Sequence, residues 1–300
     1  MYLALLSLAP LLAAAGTVER RQEPSSTRNT TSGFCGAVFN TDACSKVGWS
    51  KVWSELTAHG VSNAIGFSLQ PFSQKNNYDT TSGPCVEPQG FDAARIPLIM
   101  DPADTNKAIE WLKSDHPPPY LGLFNEPDLS YGGSTPVTLP EAAAKNLTTL
   151  INAKPPSTTL LSPVPAFPYS DWLDQFDGNC TGCMDKIDII SAHIYHVKPE
   201  DSIAQIEAIH KRWQKPTWVT EISPTTQVGN CQFNADEMSK YMTTVVNTIK
   251  KLGYVEKIFW NTGAYGILGP GYENICNPSL TKEDGSPTAL LDTYKGLCSS

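Results

Sequence analysis

Two apolar runs in this chain each lead into a glutamate, and together they leave few folds open. The first reads Leu121-Gly122-Leu123-Phe124-Asn125-Glu126-Pro127-Asp128-Leu129. Its four leading residues suit a short buried strand, and Pro127 then takes the chain out of regular pairing. The second reads Lys215-Pro216-Thr217-Trp218-Val219-Thr220-Glu221-Ile222-Ser223, a β-branched and aromatic run ending in a carboxylate. The glutamates are 221 − 126 = 95 residues apart, which leaves room for about three strand-helix units at ~30 residues each. That spacing predicts Glu126 and Glu221 on the fourth and seventh strands of an eight-fold α/β barrel, a fold that carries its chemistry at the C-terminal ends of its strands. Asn-Glu-Pro alone is equally a strand-to-loop turn with a solvated carboxylate. The second run, built the same way, favours a working pair.

The rest of the chain alternates strand and helix in one continuous pattern. From Phe34 onward about 265 residues remain, close to the ~250 typical of one closed barrel. Strands are expected at 36–39, 63–68, 95–100, 121–124, 159–164, 187–195, within 215–223 and at 257–261. Helices are expected at 49–58, from Pro102 through Lys113, from Leu139-Pro140-Glu141 onward, at 202–213, 235–252 and 288–297. A loop of some twenty residues after the second strand, rich in Asn, Ser, Gly and Pro, is long for a barrel and is expected to help wall a cleft. The fold class is therefore α/β, a single (β/α)8 TIM barrel.

The first 15 residues form an apolar stretch too short to span a bilayer and ending in small residues, which reads as a signal peptide. Arg20-Arg21 suggests a short pro-segment, so residues 1–21 are expected to be removed and 22–33, rich in Ser, Thr and Pro, to be a disordered lead-in to a catalytic domain over 34–300. The expected location is secreted, extracellular or in a cell wall. A net charge of −8 without a basic cluster excludes nucleic acid and anionic membrane as partners, since both need a positive surface. Neutral polysaccharide makes no such demand, and the chain is expected to be a monomer. Eight cysteines in a secreted chain are expected to be paired, in one of 105 arrangements, with Cys180-Thr-Gly-Cys183 read as a structural bridge. Sequons at Asn29, Asn146 and Asn179 fit a glycoprotein. His193 and His196, three apart on a strand, point to opposite faces and cannot share one ion. No Gly-rich phosphate loop and no nucleophile elbow is present, so no metal and no cofactor is expected.

Three stretches carry a resemblance: Gly122-Leu123-Phe124-Asn125-Glu126-Pro127-Asp128, Ser191-Ala192-His193-Ile194-Tyr195 and Trp218-Val219-Thr220-Glu221. They resemble the fungal members of glycoside hydrolase family 128, within the clan of retaining (β/α)8 glycosidases. The resemblance covers roughly residues 35 to 298 and implies an endo-β-1,3-glucanase, with Glu126 as acid/base and Glu221 as nucleophile. It also implies that Asn125 holds the sugar 2-hydroxyl and that His193 or Tyr195 orients the nucleophile. An aromatic floor under the sugar would then fall to Trp260, at the end of the eighth strand. Phe72, Tyr78, Tyr131 and Tyr169, in expected top-face loops, are weaker candidates for further subsites. Strand two, Ala64-Ile65-Gly66-Phe67-Ser68-Leu69-Gln70, and strand eight, Phe259-Trp260-Asn261, depart from the family pattern where subsites are shaped.

Two other readings remain open. One is a carbohydrate-binding or wall-associated barrel without turnover. The other is a retaining β-1,4-glucanase or mannanase of the same clan. Two crowded carboxylates argue against the first, because binding alone has no need of them.

Overall fold

A computed structural model describes residues 33–39, 48–66, 68–69, 91–130, 135, 137–224, 233–261 and 278–299. The expected signal peptide, almost all of the lead-in, the long loop after the second strand, the sequon at Asn29, and Phe72, Tyr78 and Tyr131 lie outside those residues, as do Cys44, Cys85, Cys231 and Cys276. Residues 32–300 form one unit.

Among the described residues, eight strands alternate with helices. They are β1 (Cys35–Phe39), α1 (Trp49–Ala58), β2 (Asn63–Gly66), α2 (Phe91–Ala94), β3 (Arg95–Ile96), α3 (Thr105–Leu112), β4 (Tyr120–Gly122), α4 (Pro140–Asn152), β5 (Thr159–Leu161), α5 (Trp172–Asn179), α6 (Cys183–Lys186), β6 (Ile190–Tyr195), α7 (Pro199–Trp213), β7 (Thr217–Ser223), α8 (Ala235–Ile249), β8 (Val255–Trp260) and α9 (Ala289–Cys298). Strands pair in parallel in the order β3-β2-β1-β8-β7-β6, with β4-β5 as a second pair. Two parallel bridges, Leu98 with Gly122 and Leu161 with Ile189, connect the pair to the larger sheet on both sides. Every strand therefore has two neighbours and the ring closes.

The joints are short for local reasons. Pro97 has no N–H to give the ladder, so β3 is two residues long and not the six expected. Pairing resumes past it, with Ile99 N–H donating to the Gly122 carbonyl at 3.0 Å and Gly122 N–H to the Pro97 carbonyl at 2.8 Å. A Cβ at Gly122 would lie 2.0 Å from Leu98 Cδ2, so the absence of a side chain there lets β3 and β4 approach.

Strand alternation separates two cores. Val38, Ile65, Ile96, Leu161, Trp218 and Phe259, from six different strands, cluster inside the ring. The opposite faces join the apolar stripes of the helices in a larger outer cluster. On α4 that stripe is Ala143, Ala144, Leu147, Leu150 and Ile151, the spacing of one helical face. On α8 it runs from Met238 to Ile249, behind an Asn234–Glu237 capping box.

The ends of several elements differ from expectation. Helix α7 begins at Pro199 and not Ser202, with Glu200 and Asp201 in its first turn and His210, Lys211 and Arg212 in its last, charges matched to the helix dipole. Helices α5 and α6, between β5 and β6, were not expected. Their apolar stripes amount to Trp172, Leu173 and Phe176 in one and Cys183 and Met184 in the other, too few turns for periodicity to register. Cys35 pairs with Cys298, and Cys180 with Cys183. Asn146 on α4 and Asn179 on α5 are exposed, as sugar acceptors must be.

Candidate active site

Glu126 leaves β4 through a backbone that few residues adopt. Its φ is +43°, in the left-handed region, which costs a non-glycine residue of order 1–3 kcal/mol and persists where the surroundings over-determine it. Here they do. Glu126 N–H donates to the Val164 carbonyl at 2.8 Å, and Leu129 N–H returns to the Glu126 carbonyl at 3.0 Å. Thr135 clamps the preceding residue: Asn125 N–H donates to Thr135 Oγ1 at 3.0 Å, and Thr135 N–H to the Asn125 carbonyl at 2.7 Å. Asp128 accepts from Ala166 and Phe167 N–H at 2.7 and 2.9 Å, tying this turn to the segment after β5.

Glu221 reaches the same place by a different device. Within β7, Trp218 faces the ring interior and Val219 the helices. Plain alternation would then turn Thr220 inward and Glu221 outward. On the β6 side, however, the register steps from Ala192–Val219 to His193–Glu221, and on the β8 side from Val219–Ile258 to Ile222–Trp260. One extra residue in β7 is therefore bulged, and the bulge re-aims Glu221 into the barrel mouth.

Between the two carboxylates lies His193. Its Nδ1 shares a 2.8 Å hydrogen bond with Glu126 Oε1, and its Nε2 is 3.5 Å from Glu221 Oε1. All three side chains are buried, and their facing atoms lie within 4.8 Å of one another. Tyr195, two residues on and on the same face, donates its hydroxyl to Glu221 Oε2. Asn261, just past β8, donates one amide hydrogen to the Tyr195 hydroxyl and the other to Glu221 Oε2 at 3.2 Å.

These contacts fix the direction of each titration. Burial raises the Glu221 pKa; the His193 charge lowers it, Glu126 raises it, and the bonds from Tyr195 and Asn261 lower it, leaving it above the ordinary carboxylate value. Burial opposes a charge on His193, but Glu221 and Glu126 outweigh burial and its pKa is raised. Tyr195 is held well above an ordinary phenol, by burial first and then by Glu221, so it stays a donor. Two protons shared by three groups give three arrangements: an imidazolium between two carboxylates, a protonated Glu126 facing Nδ1 with Nε2–H facing an ionised Glu221, or a protonated Glu221 facing Nε2 with Nδ1–H facing an ionised Glu126. The three groups titrate as a unit. In the second arrangement the site holds an acid and a carboxylate side by side.

The same three residues are the one His and carboxylate group among the described residues compact enough to suggest a metal site. Their facing atoms already bond one another, which reads as an acid-base cluster.

Sequence reasoning placed Glu126, Glu221, His193 and Tyr195 here, and the structure brings all four together; His193 and Tyr195 both face inward. Asn125 is buried beside Glu126. Trp260 is a correction. Its ring is fully buried between β8 and the helices, near Tyr241 and Tyr294, with its indole N–H donating to the Pro278 carbonyl at 2.7 Å. Alternation puts Phe259 inside the ring and Trp260 outside, so Trp260 supplies no floor to a cleft. Tyr169 is 67% exposed and contacts His196. His196 in turn meets Gln205, away from the glutamates. Asn261 was missed as a site residue, although its position at a strand end pointed to it.

Residues 54–294 match the glycosyl hydrolase catalytic core. The chain belongs to that family. Among curated proteins, this glycosyl hydrolase is similar to alkali-sensitive linkage protein 1 of Schizosaccharomyces pombe, at 30% identity over 173 residues, 57% of the chain and 31% of that relative. The match thus spans about a third of the relative's length. Among solved structures it resembles an endo-β-1,3-glucanase of family 128, subgroup I, from Amycolatopsis mediterranei, determined with laminaritriose: TM-score 0.66, 18% identity, 88% of this chain and 99% of that one. It also resembles a subgroup VII oligosaccharide-binding protein from Cryptococcus neoformans, with TM-score 0.61, 18% identity, 89% of this chain and 94% of that one. At such identity the likeness is one of fold, and the fold of this glycosyl hydrolase is the barrel that those proteins share.

Proposed function

We propose that this glycosyl hydrolase is a secreted, retaining endo-β-1,3-glucanase of family 128. The observation that carries the reading is the His193 bridge holding Glu126 and Glu221 with facing atoms no more than 4.8 Å apart. Retaining hydrolysis uses two carboxyl groups at ~5–5.5 Å, whereas an inverting pair stands ~6.5–9.5 Å apart to admit a water. In the first step Glu126 gives its proton to the leaving glycosidic oxygen while Glu221 attacks the anomeric carbon, breaking the C–O bond and forming a glycosyl ester. In the second, Glu126, now a carboxylate, takes a proton from water as that water attacks the same carbon. Glu221 departs as a carboxylate and Glu126 is again an acid. Tyr195 and Asn261 orient Glu221 for attack, and Asn125 holds the sugar 2-hydroxyl. The β-1,3 linkage rests on the resemblance of the three motifs and on the laminaritriose complex of the bacterial relative.

A barrel that binds oligosaccharide without turnover is the second reading, supported by the Cryptococcus neoformans protein of the same fold. Reducing-end release from laminarin, carboxymethylcellulose and mannan separates the alternatives. Release from laminarin alone is expected. Preference for either other polymer would move the chain to the β-1,4-acting enzymes of the clan, and no release with retained laminarin binding would leave the second reading standing.

A further inference from the structure

Three buried side-chain polar atoms among the described residues have no hydrogen-bond partner: Thr105 Oγ1, Ser223 Oγ and Asn261 Oδ1. Native interiors rarely leave such atoms unpaired, and two of these three lie at adjacent strand ends beside Glu221. Asn261 N–H donates to the Ile222 carbonyl at 2.9 Å, which fixes Asn261 against the end of β7. Its amide orientation follows from chemistry. An ionised carboxylate only accepts, so the NH2 must face Glu221 Oε2, where it is found, and the carbonyl oxygen is the atom left over. Ser223 stands opposite Tyr195 as Glu221 stands opposite His193. His193 and Tyr195 both face the carboxylates, so Ser223 shares the inward face of Glu221, one pleat nearer the rim.

From this geometry we infer that Ser223 Oγ and Asn261 Oδ1 form a hydroxyl-binding pair for the glucosyl unit that Glu221 attacks. The amide oxygen accepts from a sugar hydroxyl, and the serine hydroxyl serves the same or a neighbouring one. A sugar hydroxyl fits both atoms because it donates and accepts at once. Asn261 then has two tasks on one side chain: its NH2 orients the nucleophile and its oxygen registers the substrate against it. The inference rests on the proposed reading of the site.

Calorimetric titration of the full chain carrying Glu126→Gln, which removes turnover, tests it with laminaritriose, cellotriose and mannotriose as probes. Ser223→Ala added to that chain is expected to weaken the trisaccharide that binds by about 5- to 10-fold, the usual worth of one hydrogen bond. Asn261→Ala should weaken it at least as much. The melting temperature of the free chain with Ser223→Ala should hold or rise, because the hydroxyl removed has no partner in the free protein; a purely structural serine would show the reverse. Binding of cellotriose or mannotriose in place of laminaritriose, weakened by both changes, supports the pair while overturning the proposed linkage. Affinity within twofold of the parent for both variants overturns the pair, as does a failure of all three sugars to bind.

Discussion

In the proposed double displacement Glu221 attacks as a carboxylate, so its titration would set the acid limb of the pH–rate profile. The Tyr195 hydroxyl bonds the ionised form and lowers that pKa against burial. Tyr195→Phe removes the bond, raises the Glu221 pKa further, and should move the acid limb of kcat on laminarin toward higher pH. A profile that keeps its limb and only loses height would place Tyr195 outside this network. Glu126→Gln and Glu221→Gln keep shape but can neither donate an acidic proton nor attack, and each should lower kcat by about 10²-fold or more. Either variant retaining more than about a tenth of normal turnover would falsify the assignment of the pair.

On the scale of single elements, the β7 bulge and the start of β8 show what the ring demands of its strands. Lys257 of β8 is buried over the Trp218 ring, and burial lowers its pKa from 10.5 to about 8, with Glu256 opposing the shift. A depressed lysine binds fewer protons folded than unfolded between about 8 and 10.5, so the cost of its charge is fully present below pH 8 and fades as pH rises through that window. Lys257→Met should therefore raise stability at pH 7 by roughly 1–3 kcal/mol, at ~1.4 kcal/mol per pKa unit less the lost contacts. The Gly33 carbonyl that Lys257 bonds keeps a second donor in Asn63 Nδ2 at 2.8 Å. Urea unfolding at pH 7 and pH 10 checks this: the advantage of the variant should shrink at the higher pH, and an advantage independent of pH would assign it to packing alone.

Across the whole molecule, the first strand and the last helix hold the ring shut. Cys35 and Cys298 are 263 residues apart in sequence and joined by a disulfide, and Tyr294 donates its hydroxyl to the Gly36 carbonyl at 2.8 Å. A bridge closing so long a loop restricts the unfolded chain strongly, and native bridges of this kind contribute about 2–5 kcal/mol. Replacing both cysteines by alanine should lower the melting temperature by roughly 5–15 °C, at ~2–4 °C per kcal/mol for a domain of this size. Scanning calorimetry under non-reducing conditions measures it directly. A loss below about 2 °C would mean that strand pairing and the Tyr294 contact already close the barrel. Proton NMR in the first minutes of laminarin digestion reads the same architecture through its product. The β-anomer should appear first, and first appearance of the α-anomer would require a glutamate separation that this ring does not have.

Strand-helix alternation, the strand count and the two glutamates were legible in the sequence, because apolar periodicity and strand-terminal polar residues are local features. Helix α1 falls at the residues expected, and the strand ends hold to within about three residues apart from β3, which stops at Ile96. Short helices such as α5 were not legible, since two turns carry too few periods. Pro97 was visible as a residue, but its effect on β3 depended on which neighbouring carbonyl an N–H at that position would have met. The aim of side chains at the strand ends was decided only by tertiary structure. Alternation from Trp218 would have turned Glu221 toward the helices, and a bulge visible only in register with β6 and β8 reversed it. On β8, the unbroken alternation buried the aromatic ring of Trp260 and brought Asn261 beside Glu221 instead. Which residues stand at the mouth is written along the chain; which way they face depends on pairing with strands far away in sequence.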